Sequence, residues 1–114
     1  MVAKSFWNWN NKLINMNLKD ITEKIKTLSL ENPGSIESKI KFVLSDGSVL
    51  IDDTVSPPLI SNDDKEGDCT ITISNEDFEK ILNKEMSSMS AFMSGKMKIG
   101  GEMQLAMKLS SIFG

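Results

Sequence analysis

Chemistry in this chain would have to come from carboxylates, lysines and one thiol, because its 114 residues include no histidine, tyrosine or arginine. General acid and base work near neutral pH falls most often to histidine; without it, a carboxylate or lysine must be retuned by burial or a neighbouring charge. The two Asp-Asp pairs, Asp52–Asp53 and Asp63–Asp64, sit among prolines and polar residues. Nothing there would desolvate them, so both are read as solvated loop charge. Cys69 precedes the strand-like "TITIS" and has no histidine to activate it, so it reads as a small buried hydrophobe. The acids do not follow the alternation of a calcium-binding loop, and clustered soft-metal ligands are absent. "GKMKIGG" carries glycines without phosphate-loop spacing. The expectation is no catalytic residue, no metal and no cofactor.

Sulfur of another kind is abundant. Met86, Met89, Met93, Met97, Met103 and Met107 are six of the eight methionines. The thioether is unbranched and polarizable, and fills irregular or changing spaces. A core that must only specify one structure prefers branched residues. By itself the cluster fits a methionine-rich core; its density points further to a ligand cavity or to a plastic surface that docks a partner protein, and the residues alone leave these open.

The elements that would position this cluster are legible from periodicity. In "NLKDITEKIKTL", Leu18, Ile21, Ile25 and Leu28 recur at spacings of three, four and three, which predicts an amphipathic helix ended by "NPGS". From Ile36, the residues Ser38, Ile40, Phe42 and Leu44 alternate with Lys39 and Lys41, as in a half-buried strand. Asp46-Gly47 supplies a tight turn, and Val49 and Ile51 continue the inward face. "SPPLISNDDKEGD" reads as a loop, since prolines cannot serve in a central strand. Cys69, Ile71 and Ile73 alternate with threonines in a further strand. Ser74 with Asp77 resembles a capping box opening a helix that buries Phe78, Ile81 and Leu82. "SSMSAFMSG" is a connection, Met97 and Ile99 face inward on the next strand, Gly100-Gly101 stops it, and "EMQLAMKLSSIF" closes the chain as a helix. Helix, strands, helix, strand, helix predicts an α+β fold: a mainly antiparallel sheet wetted on its lysine face and covered by helices on the other.

Composition agrees with one ordinary globular domain, at 39% apolar and 25% charged residues. With a net charge of −3 and lysine as the only cation, the bidentate grip that favours phosphate and guanine is missing, and no nucleic acid partner is expected. Nine of the sixteen acids fall between residues 46 and 77, opposed by Lys65 alone, which would repel polyanions from a water-facing end. One cysteine suits a reducing compartment. Neither a membrane span nor a secretory signal is evident. Residues 1–16 combine Phe6, Trp7 and Trp9 with lysine, asparagine and no acid. They form a separate N-terminal extension to a domain at 17–114: an arm packed on the body, a translated leader before Met16, or an interfacial membrane arm.

Two longer runs, "CTITISNEDFEKIL" at 69–82 and "AFMSGKMKIGGEMQLAMKL" at 91–109, resemble the sterol carrier protein 2 lipid-transfer domain. "SDGSVLIDD" before Pro57-Pro58 is similar to that family's hairpin and loop, and "LKDITEKIK" to its first helix. The resemblance implies a five-stranded sheet covered on one face by helices. Between the layers it implies an apolar tunnel for fatty acids, fatty acyl-CoA, sterols or similar amphiphiles. Ile40, Phe42, Val49, Ile51, Ile71, Ile73, Met97 and Ile99 would form one wall. Phe92, Met93, Met103 and Met107 would form the other, with Gln104 as a polar anchor at the mouth and the closing helix as gate.

The chain departs from the family where Gly-Lys-Leu-x-Pro is usual and Lys84-Glu85-Met86-Ser87-Ser88 stands instead, losing a helix-ending glycine. Gly101-Glu102 replaces the common Gly-Asn. "SSIFG" lacks the family's peroxisomal tripeptide, so a cytoplasmic location is expected. The combined expectation is a monomeric, non-catalytic lipid carrier that touches membrane surfaces transiently. The alternative is an accessory module whose methionine face docks a protein.

Overall fold

The computed structural model describes residues 16–113; apart from Met16, the N-terminal extension lies outside the described residues. Helix α1 spans Leu18–Glu31, and strands β1 to β4 are Lys39–Leu44, Gly47–Asp52, Leu59–Ser61 and Cys69–Ile73. Helices α2 (Asn75–Leu82) and α3 (Ser88–Met93) precede β5 (Met97–Gly101) and α4 (Met103–Phe113). The strands form one five-stranded sheet in the order β3-β2-β1-β4-β5. Three pairings are antiparallel, and β1 with β4 is parallel, so the sheet is mixed.

Register explains why the inward residues meet. Val49 faces Phe42, Phe42 faces Ile71 and Ile71 faces Ile99 across four strands. The next row runs Ile60, Ile51, Ile40 and Cys69. Because strand side chains alternate, each row presents its apolar groups to one face. Ile21 and Ile25 of α1, Phe78 and Ile81 of α2, and Leu105, Leu109 and Phe113 of α4 close over these rows in a single core. Phe42 stacks on Phe78 with ring centroids 5.1 Å apart, and Phe113 lies 5.9 Å from each. Such pairs add about 0.5–1.5 kcal/mol each beyond their area burial.

Three boundaries differ from the periodicity reading. Strand β3 lies inside the proline-bearing segment read as a loop. It pairs with β2 alone, and prolines just ahead of an edge strand remove no ladder bond. The serine-rich connection contains α3, whose N-cap Ser87 accepts the Ser90 N–H at 3.0 Å. Strand β5 continues through both glycines, and only Gly101 is required there. Its φ is +87°, and a Cβ on it would stand 2.5 Å from the Asp68 carbonyl oxygen, so the chain can turn directly into α4.

The acidic pairs also need correcting. Asp53 is buried, and its carboxylate accepts the backbone N–H groups of Gly34, Ile36 and Glu37 at 2.8–3.0 Å. It ties the segment entering β1 to the end of β2, which is a structural job. Asp52 accepts from the Thr54 hydroxyl and amide, and the hydroxyl chiefly holds its carboxyl below the usual range. Asp64 pairs with Lys41, drawing the segment between β3 and β4 back across the lysine-bearing face. Of the two pairs, Asp63 and Asp64 keep the expected solvated character, at 60% and 82% exposed, and Asp63 has a long contact of 3.9 Å to Lys65.

Candidate binding site

The C-terminal third contributes a second apolar stripe that the core does not consume. On α4, Leu105, Leu109 and Phe113 are buried at i, i+4 and i+8. Met103, Ala106, Met107 and Ser110 follow i, i+3, i+4 and i+7 around the helix, and all four line a cleft of about 260 Å³. Helix α3 supplies Ser88, Met89 and Phe92, and β5 supplies Met97 and Ile99. The nine lining residues include four methionines and no charged side chain. Ser110 turns its hydroxyl back to the Met107 carbonyl at 2.7 Å, which leaves its side of the wall without an unpaired donor.

The walls differ in shelter. Met97 is 7% exposed and forms the floor, whereas Met103, Met89 and Met107 are 44%, 56% and 61% exposed at the rim. Cys69 lies at the other end of the β4–β5 ladder from Met97, opposite Gly101, and is 1% exposed beneath α4. Burial pushes its thiol above the ordinary value, opposed by a hydrogen bond from the Ala106 backbone and reinforced by Glu102. A protonated, enclosed thiol is a poor nucleophile. Among the described residues, no group of three His, Cys, Asp or Glu side chains could hold a metal ion.

Of the thirteen lining residues expected from the sequence, Phe92, Met97, Ile99, Met103 and Met107 are brought together here. Ile40, Phe42, Val49, Ile51, Ile71 and Ile73 are 0–3% exposed in the packed core behind the cleft. Ile99 joins the two regions, because its neighbour across the ladder is Ile71, followed by Phe42. Met93 is 78% exposed at the last position of α3, and Gln104 is exposed on α4; neither lines the cleft. Ser88, Met89, Ala106 and Ser110 were missed. The signal for the last two was present in their spacing from Met103, hidden beneath the stronger Leu105–Leu109–Phe113 stripe.

A mixed five-stranded sheet with helices on one face, and an uncharged cleft between the last strand and two helices, defines a domain of the α+β class with an apolar cleft. The chain belongs to the SCP-2 sterol transfer family, whose profile matches residues 8–114. It is similar to human sterol carrier protein 2, with 46% identity over 54 residues, which is 47% of this chain and 10% of that protein. The chain thus matches only a small part of such relatives. Among solved structures it resembles apo sterol carrier protein 2 of Yarrowia lipolytica, at 21% identity and a TM-score of 0.68, covering 82% of this chain and 87% of that one. It also resembles sterol carrier protein domain 2 of Helicoverpa armigera, at 27% identity and a TM-score of 0.63, over 80% and 78% of the two chains. The palmitated SCP2L2 of Aedes aegypti shares the fold at 18% identity and a TM-score of 0.61, over 84% and 89%. No described helix is long and apolar enough to cross a membrane.

Proposed function

We propose that the protein binds and transfers lipids without chemical turnover, taking the tail of a fatty acid, fatty acyl thioester or sterol-like amphiphile into the methionine-lined cleft. The observation that carries this reading is the composition of the walls: nine residues, none charged, around about 260 Å³ of space. Membership of a sterol transfer family supports it, as does the fold shared with a palmitated relative.

Each buried methylene contributes about 0.8 kcal/mol, or roughly fourfold in affinity, until the space is filled. At about 260 Å³ the cleft falls just below the range of ligand pockets, about 300–1,000 Å³. A long tail therefore continues inward past Ile99 only when α4 moves outward, which would open the Ile71 and Phe42 row. In this reading α4 is the gate, and the inward residues of β1, β2 and β4 line the enlarged space rather than the resting cleft. Flexible methionine walls would close on tails of different shape. The rim methionines would meet a membrane surface briefly during exchange, and the protein would work in the cytoplasm as a monomer.

The test is native mass spectrometry of gently purified protein, extraction of what is bound, and a chain-length series of fatty acids. The expected result is co-purified lipid, with affinity rising about fourfold per methylene to a plateau. A flat series from ten to sixteen carbons would sink the reading. Met107→Glu is expected to reduce uptake at least tenfold with little change in unfolding temperature, because Met107 is exposed at the rim. The exposure of Met93 at 78% favours one second reading, an apolar face that docks a protein; recovery of the protein free of any lipid would support it instead.

A further inference from the structure

We infer that Met89, Met103 and Met107 are sites of reversible sulfoxidation by peroxides, and that their oxidation closes the cleft to apolar tails. This inference rests on the lipid-carrying reading and adds a control to it.

The arrangement separates consequence from accessibility. Met93 and Met107 are the most exposed of the clustered methionines, followed by Met89 and Met103, while Met97 is nearly enclosed. Three of the four exposed methionines among the described residues are also wall residues; Met93 is exposed without being one. Peroxide reaching the cleft meets no competing thiolate, since the single cysteine, Cys69, is buried.

In the reaction, a lone pair of the thioether sulfur attacks one peroxide oxygen. The S–O bond forms as the O–O bond breaks, and the departing hydroxide takes the proton from the transferred oxygen to become water, leaving the neutral sulfoxide. The sulfur loses two electrons and the peroxide gains them. Reduction of the sulfoxide by two thiols returns the thioether, giving a disulfide of the reductant and water. Each sulfoxide places a strong dipole in a wall that has no charged partner to satisfy it. Burying such a group under an alkyl chain weakens binding by about tenfold per site. Conversely, a bound tail covers the sulfurs, so the empty carrier is the oxidisable form.

The experiment treats the full chain with hydrogen peroxide, maps sulfoxides by peptide mass spectrometry, and titrates a fluorescent polyene fatty acid before and after. Expected are early oxidation at Met89, Met93, Met103 and Met107, late oxidation at Met97, and at least a tenfold loss of affinity. Methionine sulfoxide reductases should restore it. Prior loading with fatty acid should protect the three wall residues while Met93 still oxidises. A Met89→Leu/Met103→Leu/Met107→Leu variant, compared with its own untreated binding, should keep its affinity after peroxide; Met93→Leu should not be protected.

Unchanged binding once the three wall sulfurs are oxidised overturns this inference alone, as does oxidation of Met97 as fast as Met107. Failure of the untreated protein to bind any fatty acid overturns the lipid-carrying reading, and this inference with it.

Discussion

Asp46 joins three segments of chain through one carboxylate. It accepts the Leu18 N–H at 2.9 Å and the Asn75 side-chain N–H at 2.8 Å, while Asn75 also accepts the Ser45 N–H and donates to the Met16 carbonyl. The hairpin turn thereby fixes the starts of both α1 and α2. The Asn75 hydrogen bond, followed by that from Leu18, holds the Asp46 carboxyl below the ordinary range. A lowered folded value means that the stabilisation is present above the unfolded value of about 3.9 and is lost as pH falls through the folded one. Asp46→Asn should therefore be less stable than wild type at pH 7, with the gap narrowing below about pH 4. Urea denaturation at several pH values measures it; a gap that stays constant with pH would remove the ionised carboxylate from the explanation. No periodicity pattern signals such a contact, because it joins residues 28 and 29 positions apart. Asp53 was misread for the same reason: its three donors lie 16 to 19 positions upstream.

At the scale of elements, the end of α2 shows how a motif survives the loss of its usual residue. Glu85 N–H bonds the Lys80 carbonyl and Lys84 N–H bonds the Ile81 carbonyl, the two bonds of a Schellman cap. Lys84 holds the left-handed position at φ +63°, where the family's glycine would be unstrained. Lys84→Gly is expected to stabilise the protein by about 0.5–1 kcal/mol, read as a higher urea midpoint at unchanged slope. Destabilisation would mean that the lysine side chain contributes more than its backbone costs. Sequence patterning found α1, α2 and α4 because each carries a strong apolar stripe. It missed α3, six residues long with buried Ala91 as its core contact, since so short a helix has too few turns to show a period. The cleft depends on that helix, so its position was less legible than its methionine content.

On the scale of the whole molecule, the proposed function makes Phe113 the residue that limits how far a tail can run inward. It is the last inward residue of α4 and stands against Phe42 and Phe78, at the end of the row that leads from Ile99. Phe113→Leu should cost about 1–2 kcal/mol and shift the preferred fatty acid to longer chains. Parallel denaturation and chain-length titrations check both effects; an unmoved optimum would place the end of the tail elsewhere. The sheet as a class was legible because four strands alternate cleanly. Its mixed character was not, since the parallel pairing of β1 with β4 depends on how residues 62–68 return, and neither strand's alternation records which neighbour it acquires.

All of the cleft-lining residues fall between Ser88 and Ser110, whereas the first three strands and α1 supply much of the packing behind them. Substitutions within this one contiguous length therefore reshape the resting cleft while the packing behind it stays in place.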